Sequence, residues 1–434
     1  MADRKIVPSY RPDDVDSLLS QVKYLDHGLS GRFRDVIEHP EIEFPSYPYE
    51  WPAEMLYAAA RLTLDLAQAS SPSGYCLKDA SPYNILFEHS KPIFVDVLSF
   101  ERRDPLDPTW LPYAEFARTF LLPLLAYRYF KAKLSRVFVA RREGLEPEDL
   151  YRVSSRIRRL TPPFLNLVTI PKWLGGTGSA KVYRRRAAKS PAQAKFILDA
   201  LFRRLGKQLE AVRPPNDEES NWTAYADSLA CEEPDYVTSK RLFVEEYCSA
   251  YGPRRALDIG CNTGIYSKIL ARSGAEVVAV DTDQEVVGRL WTEAQNDGDK
   301  ILPLVVDIAR PSPGTGWMNR ENRSFLDRAR GQFDTVVMLA VVHHLMVTER
   351  VPLSEIISLA AMLTRDHLII EFVAADDPMF VSLLRGRDSL YEGYRRSVFE
   401  STVQEKFYVA RIEPTPRPTR WLYHLRKKHE TSDL

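Results

Sequence analysis

The sequence predicts an α/β protein with a mainly helical N-terminal half and a C-terminal half built on a parallel sheet covered by helices. Three observations predict this fold class. A proline-rich polar stretch, VRPPNDEESNW, separates two regions of different pattern, and beyond it short runs of valine, isoleucine and leucine alternate with helical patterns. The first of those runs leads into a glycine turn. We therefore predict two units, residues 1–215 and residues 216–434, with the boundary in that stretch.

The N-terminal half contains three patterns that can be assigned. Apolar residues at helical spacing predict a helix over Pro52–Ala67, whose proline suits a first-turn position. Asn84–Phe87 and Ile93–Val97 read as two short strands around a polar turn. Trp110–Phe130 follows as a strongly apolar helical stretch.

The C-terminal half begins with a predicted helix over Ser239–Tyr251, after which strands and helices alternate. The predicted strands are Arg255–Ile259, Glu276–Asp281, Leu302–Val306, Thr335–Leu339 and Leu368–Phe372, and the first helices between them are Gly264–Arg272 and Gln284–Asn296. A last strand pair, Phe407–Glu413 and Arg420–Arg426, is predicted to form an antiparallel edge.

Composition sets the broad class. The 434 residues are 44% hydrophobic and 27% charged, as in ordinary globular proteins. No window of about 18 residues is both apolar and uncharged, and the N-terminus lacks the apolar core of a secretory signal, so we predict no membrane span and a cytoplasmic location. The four cysteines are far apart and form no C-x-x-C pair, which indicates neither a disulfide scaffold nor a zinc site.

Charge is distributed unevenly along the chain. The formal net charge is zero, yet Lys131–Arg213 contains 20 Lys and Arg against 6 Asp and Glu. Such a segment forms either solvated helix faces or a surface for an anionic partner. A nucleic-acid partner is therefore an alternative, although the zero net charge of the whole chain does not favour it.

The glycine turn, DIGCNTG at Asp258–Gly264, excludes two common ligand classes. A dinucleotide fingerprint that starts at Gly260 requires further glycines at positions 262 and 265, and a phosphate-binding P-loop requires glycine at 265 followed by lysine. Asn262, Ile265 and Tyr266 occupy those positions. The turn therefore lacks the residues that bind a pyrophosphate, although its glycines still let backbone approach a ligand closely.

S-adenosylmethionine fits this turn because it carries an amino acid, a ribose and an adenine but no phosphate. Asp281 ends the second strand, where a carboxylate can accept hydrogen bonds from both ribose hydroxyls. Asp258 can hold the loop near the ammonium group, and Asp307, after the third strand, can accept from the adenine amino group. The candidate cofactor-binding residues are Asp258, Gly260, Cys261, Asn262, Gly264, Asp281, Thr282, Asp307, Ile308 and Leu339.

The stretches LDIGCNTG, VVAVDTD, VVDI and FDTVVMLAVVHHL, in this order and spacing, resemble class I S-adenosylmethionine-dependent methyltransferases. The resemblance covers about Ser239–Phe372. It implies a Rossmann-like seven-stranded sheet, S-adenosyl-L-methionine as the cofactor and methyl transfer as the reaction.

Three side chains are candidates for the catalytic base. Methyl transfer from a sulfonium needs an aligned acceptor and, for a hydroxyl, removal of its proton. His343 and His344 are predicted to end the fourth strand, and imidazole titrates near neutral pH. Because side chains alternate along a strand, only one histidine would face the ligand, and we predict His344. Glu371, at the end of the fifth strand, is a further candidate, and no metal is predicted.

The N-terminal half carries a second resemblance. In LKDASPYNILFEHSKPIFVDVLSFE, Asp79 is followed five residues later by Asn84 and then by Asp96 after a short strand. This pattern resembles the catalytic loop and metal-binding aspartate of aminoglycoside phosphotransferase-type kinases. No glycine-rich phosphate loop precedes it, so the resemblance implies a degenerate kinase-like module that binds an acceptor or a partner.

Both halves together resemble a subgroup of large bacterial methyltransferases related to the nodulation protein NoeA, which is linked with modification of a sugar on an extracellular signal molecule. We therefore predict methylation of a hydroxyl on a small-molecule or sugar-containing acceptor. Two alternatives stay open: an RNA methyltransferase that uses the basic 131–213 segment, and a non-catalytic scaffold with a kinase-like partner-binding module.

Overall fold

The structure, a computed structural model, describes residues 5–13, 36–175, 187–215 and 233–429. Residues 216–222 of the predicted boundary stretch lie outside the described residues. The division into residues 1–215 and 216–434 therefore stays a prediction.

The N-terminal half is mainly helical, as predicted, with two small two-stranded sheets. Its helices are α1 (Ala53–Ser70), α2 (Tyr113–Phe116), α3 (Leu122–Phe130), α4 (Leu134–Ala140), α5 (Pro147–Val153), α6 (Ile170–Gly175) and α7 (Pro191–Ala211). Its strands are β1 (Tyr75–Leu77), β2 (Ile85–Glu88), β3 (Lys91–Phe94) and β4 (Phe100–Arg102). β1 pairs with β4 and β2 pairs with β3, both antiparallel.

Several predicted boundaries in this half are wrong by one to three residues. Asn84 ends a short 3-10 turn, so the strand begins at Ile85, and the next strand ends at Phe94 instead of Val97. The predicted helix over Trp110–Phe130 begins only at Tyr113 and contains a π-helical turn, Ala117–Leu121.

A seven-stranded sheet forms the centre of the C-terminal half and confirms the predicted fold class. Its strands are β5 (Arg255–Ile259), β6 (Glu276–Asp281), β7 (Ile301–Val305), β8 (Phe333–Met338), β9 (Thr364–Val373), β10 (Phe407–Pro414) and β11 (Arg420–Lys427). The strand order is β10-β11-β9-β8-β5-β6-β7. Strands β5 to β9 pair in parallel, whereas β11 is antiparallel to both of its neighbours.

The helices of this half are α8 (Pro234–Tyr251), α9 (Ile265–Arg272), α10 (Gln284–Asp297), α11 (Phe325–Ala329), α12 (Val342–Val347), α13 (Leu353–Leu363), α14 (Pro378–Leu384) and α15 (Arg396–Lys406). Alternate strand residues are buried in two different apolar clusters, for example Leu257 in one and Ala256 in the other. The sheet is thus covered on both faces, which explains its nearly continuous apolar strands.

The strand order reverses direction between β5 and β8. The chain runs from β5 outward through β6 and β7, then returns to form β8 on the other side of β5. In such sheets the carboxyl ends of the strands at the reversal form a crevice where ligands bind. The glycine turn follows β5 at this position.

The N-terminal half packs against one face of the sheet domain. The rings of Trp51 and Phe87 pack edge-on with centroids 5.0 Å apart, and Phe87 packs edge-on against Trp291 of α10 with centroids 6.5 Å apart. Phe44 contacts Phe325 of α11 at 5.9 Å. Apolar side chains of both halves therefore belong to one continuous buried cluster.

Candidate active site

The glycine turn is shaped by two residues that only glycine suits. Gly260 and Gly264 have φ of 75° and 79°, a left-handed conformation that side chains disfavour. A Cβ atom on Gly260 would clash with Val341, and one on Gly264 would clash with Leu290. The turn therefore lies directly against the segment that leads into α12 and against the side chain of Leu290.

Asp281 holds the glycine turn from the neighbouring strand. Its carboxylate accepts hydrogen bonds from the backbone N–H groups of Asn262 and Asp283, each at 3.0 Å. Burial raises the pKa of Asp281 above its usual value, although these hydrogen bonds oppose the shift. Each carboxylate oxygen has a second lone pair, so Asp281 could accept two hydroxyl groups of a ribose.

Asp258 is buried inside the strand, and its side chain ties β5 to α9. Its carboxylate accepts a hydrogen bond of 2.6 Å from the Ser267 hydroxyl. Burial raises the pKa of Asp258 to about 6. The carboxylate thereby fixes the helix that begins at the glycine turn.

The remaining predicted cofactor residues lie around the same strand ends. Asp307 follows β7, where it accepts a hydrogen bond from the Ala309 N–H at 3.0 Å and pairs with Arg310 at 2.7 Å. Cys261, Ile308 and Leu339 are buried, whereas Thr282 is exposed. Apolar side chains and a carboxylate therefore lie around the same strand ends.

His343 and His344 do not end the fourth strand, so that placement is wrong. β8 ends at Met338, and both histidines lie in the first turns of α12. Ala340, with φ of 58°, separates the strand from the helix. The helix still begins beside the glycine turn, because Val341 packs against Gly260.

The two histidines have different environments. His343 is 1% exposed, and neither ring nitrogen has a hydrogen-bond partner among the described residues. Burial, reinforced by the neighbouring His344, lowers its pKa well below the usual value. His344 is only partly buried, and its pKa is lowered by burial and by Arg420. At neutral pH both rings are uncharged, and His344 is the more accessible.

Glu371 lies within β9, not at its end, and it is fully buried in a cluster of charges. Tyr236 donates to it at 2.5 Å, Lys240 pairs with it at 2.9 Å, and Arg420 lies 3.7 Å away. Burial would raise the pKa of Glu371, but Lys240 and Arg420 outweigh burial and lower it. This environment suits a structural anion better than a base, because a lowered pKa and occupied oxygens weaken proton uptake.

Arg420 extends this cluster to Asp377, whose side chain caps the N-terminus of α14. The guanidinium donates to both carboxylate oxygens at 2.8 Å, a bidentate pair. Burial would raise the pKa of Asp377, yet Arg420 holds it well below the usual range. The sequence alone did not indicate that Tyr236, Lys240 and Arg420 lie beside Glu371. The only signals in the sequence are that Lys240 occupies a position whose neighbours on the same helix face are mostly apolar, and that Arg420 immediately precedes the mostly apolar run WLYHL.

The kinase-like residues are near one another in the N-terminal half. Asp79 accepts a hydrogen bond from the Ser99 hydroxyl at 3.4 Å, and the Asn84 carbonyl accepts from the Val95 N–H at 2.9 Å. Asp96 immediately precedes the short turn Val97–Ser99, and its side chain makes no capping hydrogen bond there. Within the described ranges, no cluster of three or more His, Cys, Asp or Glu residues could hold a metal ion. None of the helices described here is long and apolar enough to cross a bilayer.

Three features together define the class of S-adenosylmethionine-dependent methyltransferases. The parallel sheet contains one antiparallel strand, the glycine turn after β5 lacks phosphate-binding residues, and an aspartate ends the next strand, β6. The family described as "Methyltransferase domain" matches residues 200–408. The nodulation protein NoeA of Rhizobium meliloti (strain 1021) is 30% identical over 405 residues, which cover 91% of this chain and 82% of NoeA. The chain therefore belongs to the S-adenosylmethionine-dependent methyltransferase family that includes NoeA, and it uses S-adenosylmethionine as its cofactor.

Two further similarities cover less of the chain. The O-antigen chain terminator bifunctional methyltransferase/kinase WbdD of Escherichia coli is 24% identical over 167 residues, 38% of this chain and 21% of WbdD. The magnesium protoporphyrin IX methyltransferase ChlM of Synechocystis PCC 6803, solved with bound SAH, is 21% identical with a TM-score of 0.34. That alignment covers 49% of this chain and 90% of ChlM.

Proposed function

We propose that this methyltransferase transfers a methyl group to a hydroxyl of a small or sugar-containing acceptor, with His344 as the base. One observation carries the proposal. Val341 packs against Gly260, which brings the first turns of α12 beside the turn that would hold the cofactor. A partly buried, uncharged imidazole in that position is suited to accept a proton from a bound hydroxyl.

The proposed chemistry is a single displacement. The acceptor oxygen forms a bond to the methyl carbon while the bond from that carbon to the sulfonium sulfur breaks. The hydroxyl proton passes to His344, and S-adenosylhomocysteine is released. In this proposal Asp281 holds the ribose, Asp258 and the two turn glycines hold the loop, and Asp307 orients the adenine. His343 and Glu371 support α12 and β9 instead of reacting.

The proposal of a sugar-containing acceptor takes support from the descriptions of two relatives. NoeA is described as a nodulation protein, and WbdD as an O-antigen chain terminator. The aliphatic residues exposed within the basic 131–213 segment argue against the alternative of an RNA methyltransferase, because a phosphate backbone offers them no partner.

The first prediction concerns His344. His344→Ala is expected to lower kcat about a hundredfold, the usual contribution of a general base, and to leave S-adenosylmethionine affinity unchanged. Because the pKa of His344 lies below 6.5, the rate of the unmodified enzyme should fall only as pH drops below that value, and this acid limb should vanish in the variant. The assay follows a tritiated methyl group from S-adenosylmethionine into a panel of saccharides and phenols.

His429→Ala, on the exposed surface, is the matched control and should behave like the unmodified enzyme. Full activity of His344→Ala, with its acid limb retained, would remove His344 as the base. Label found in ribosomal or transfer RNA instead of the hydroxyl panel would support the RNA alternative.

We also propose that the N-terminal half binds the acceptor or a partner and does not transfer phosphate. Asp79→Ala is expected to leave S-adenosylmethionine affinity unchanged, because its contacts lie within the N-terminal half. Calorimetric titration with ATP and magnesium should show no binding in either protein. ATP binding that Asp79→Ala abolishes would instead indicate a second, phosphate-handling activity.

A further inference from the structure

The surface of residues 150–175 combines two features that are seldom exposed together. Its exposed apolar side chains are Val153 (63%), Ile157 (80%), Leu160 (65%), Trp173 (62%) and Leu174 (70%). The same stretch contains five Arg and Lys residues and no Asp or Glu. We name these residues the basic-apolar surface. Large apolar side chains exposed in a group commonly mark an interaction site.

Contacts within the stretch hold its separate parts together. Arg159 and Lys172 both lie over the Tyr151 ring, each at 3.8 Å from its centre. Thr169 donates to the Arg159 carbonyl at 2.7 Å, which ties the start of α6 to the preceding turn. The end of α5, the turn near Leu160 and α6 therefore form one structured surface.

The basic residues divide into two groups. Arg158 lies over the Phe164 and Phe130 rings, at 5.9 and 5.4 Å, and Arg159 and Lys172 flank Tyr151, so these three also serve packing. Arg152 and Arg156 are exposed next to Val153 and Ile157. Each of these two arginines thus presents a positive charge beside an aliphatic side chain that points away from the core.

Exposed arginines next to exposed aliphatic residues favour a membrane over a nucleic acid as the anionic partner. A nucleic acid would use the arginines, but the aliphatic residues would gain little from a phosphate backbone. A bilayer surface uses both, because anionic headgroups attract the arginines while aliphatic and tryptophan side chains enter the boundary between headgroups and acyl chains. Positive charge with no acidic residue also complements a negatively charged leaflet.

We infer that the basic-apolar surface docks the protein on an anionic phospholipid membrane, with Trp173, Leu174 and Ile157 entering the interface. The attachment is peripheral. It does not depend on the proposed acceptor or on His344, and it would bring the enzyme to a substrate carried at a membrane.

The test is co-sedimentation of the full chain with vesicles of phosphatidylcholine alone or mixed with phosphatidylglycerol. Binding is expected only to the mixed vesicles and should weaken as salt rises, because exposed charges are screened. Ile157→Ser with Trp173→Ser should weaken binding about tenfold or more by removing inserted apolar area. Arg152→Glu with Arg156→Glu should have a similar or larger effect on the mixed vesicles.

Trp317→Ser, which removes a tryptophan 77% exposed on the sheet domain, is the matched control and should bind like the unmodified protein. Circular dichroism checks that all variants are folded. Absence of binding to mixed vesicles, or binding that neither double variant weakens, would overturn the inference. Binding to transfer RNA that only the arginine variant weakens would assign the surface to RNA, and dimerisation lost in the Ile157 and Trp173 variant would assign it to a second copy of the chain.

Discussion

Asp281→Ala is expected to weaken S-adenosylmethionine binding by two to three orders of magnitude. In the proposed site the carboxylate accepts both ribose hydroxyls, and each hydrogen bond to a charged group contributes about 1.5–3 kcal/mol. The same carboxylate holds the Asn262 N–H, so its loss also releases the glycine turn that shapes the site. Isothermal titration calorimetry measures the affinity directly.

Two variants separate the ligand contact from the loop contact. Asp281→Asn keeps one oxygen acceptor and the side-chain shape, so it should lie between the unmodified protein and Asp281→Ala. Asp283→Ala removes a neighbouring carboxylate that caps α10, where the loss of a cap costs about 1 kcal/mol of stability. It should lower the melting temperature without changing affinity. An unchanged dissociation constant for Asp281→Ala would refute the ribose assignment.

The core of the sheet was predictable because its local signals are strong. β5 and β6 have the bounds that the sequence predicts, since both are short, mostly buried and mostly apolar runs bounded by polar residues or glycine. The glycine turn and Asp281 follow from the same pattern, because a residue after a parallel strand must lie at the carboxyl edge of the sheet. The positions of the candidate cofactor residues could therefore be predicted without coordinates, whereas their role stays a prediction.

The local structure of the two histidines could not be predicted from the sequence. The run VVMLAVV that precedes the two histidines is apolar throughout, and periodicity cannot separate a buried strand from a buried helix in such a run. The chain changes at Ala340 from β8 to the approach to α12, and that change depends on a positive φ that no residue type in the run predicts. His344 was thus predicted near the site with the wrong local structure.

The surroundings of Glu371 depend on contacts that sequence cannot reveal. Its partner Lys240 is 131 residues away, on a helix that precedes the sheet, and Arg420 lies on the antiparallel strand β11. A carboxylate at a strand end resembles a catalytic base in sequence, whereas in the structure its counter-charges decide its role. The contact between the two halves likewise joins residues that are distant in sequence, so the sequence did not predict it.

That contact contains a buried ion pair between Arg328 of α11 and Glu50 of the N-terminal half, both almost fully buried. Arg328 also donates to the Pro45 carbonyl at 2.5 Å and lies over the Tyr47 ring at 4.9 Å. Ser312 donates to the Glu50 carboxylate from the sheet domain. The carboxylate is therefore enclosed by groups from both halves and depends on Arg328 for its charge balance.

Arg328→Ala is expected to destabilise the protein by about 3–5 kcal/mol, because it leaves the Glu50 charge buried without its partner. Thermal unfolding followed by circular dichroism and tryptophan fluorescence should show a melting temperature lower by about 1 °C for each kcal/mol lost, because the unfolding entropy grows with chain length and the chain has 434 residues. The matched control is Arg330→Ala, two residues away and exposed, which should change stability by no more than about 0.5 kcal/mol.

A double variant tests whether charge balance or the contact itself matters. Arg328→Met with Glu50→Leu fills the site with apolar groups of similar size, and such replacements of buried pairs are often neutral or stabilising. It should recover most of the stability lost in Arg328→Ala. If Arg328→Ala melts like the unmodified protein, the halves are held by the apolar contacts around Trp51 and Trp291 alone. If it unfolds in two steps where the unmodified protein shows one, the ion pair couples two units that can unfold separately, as the predicted division near residue 215 implies.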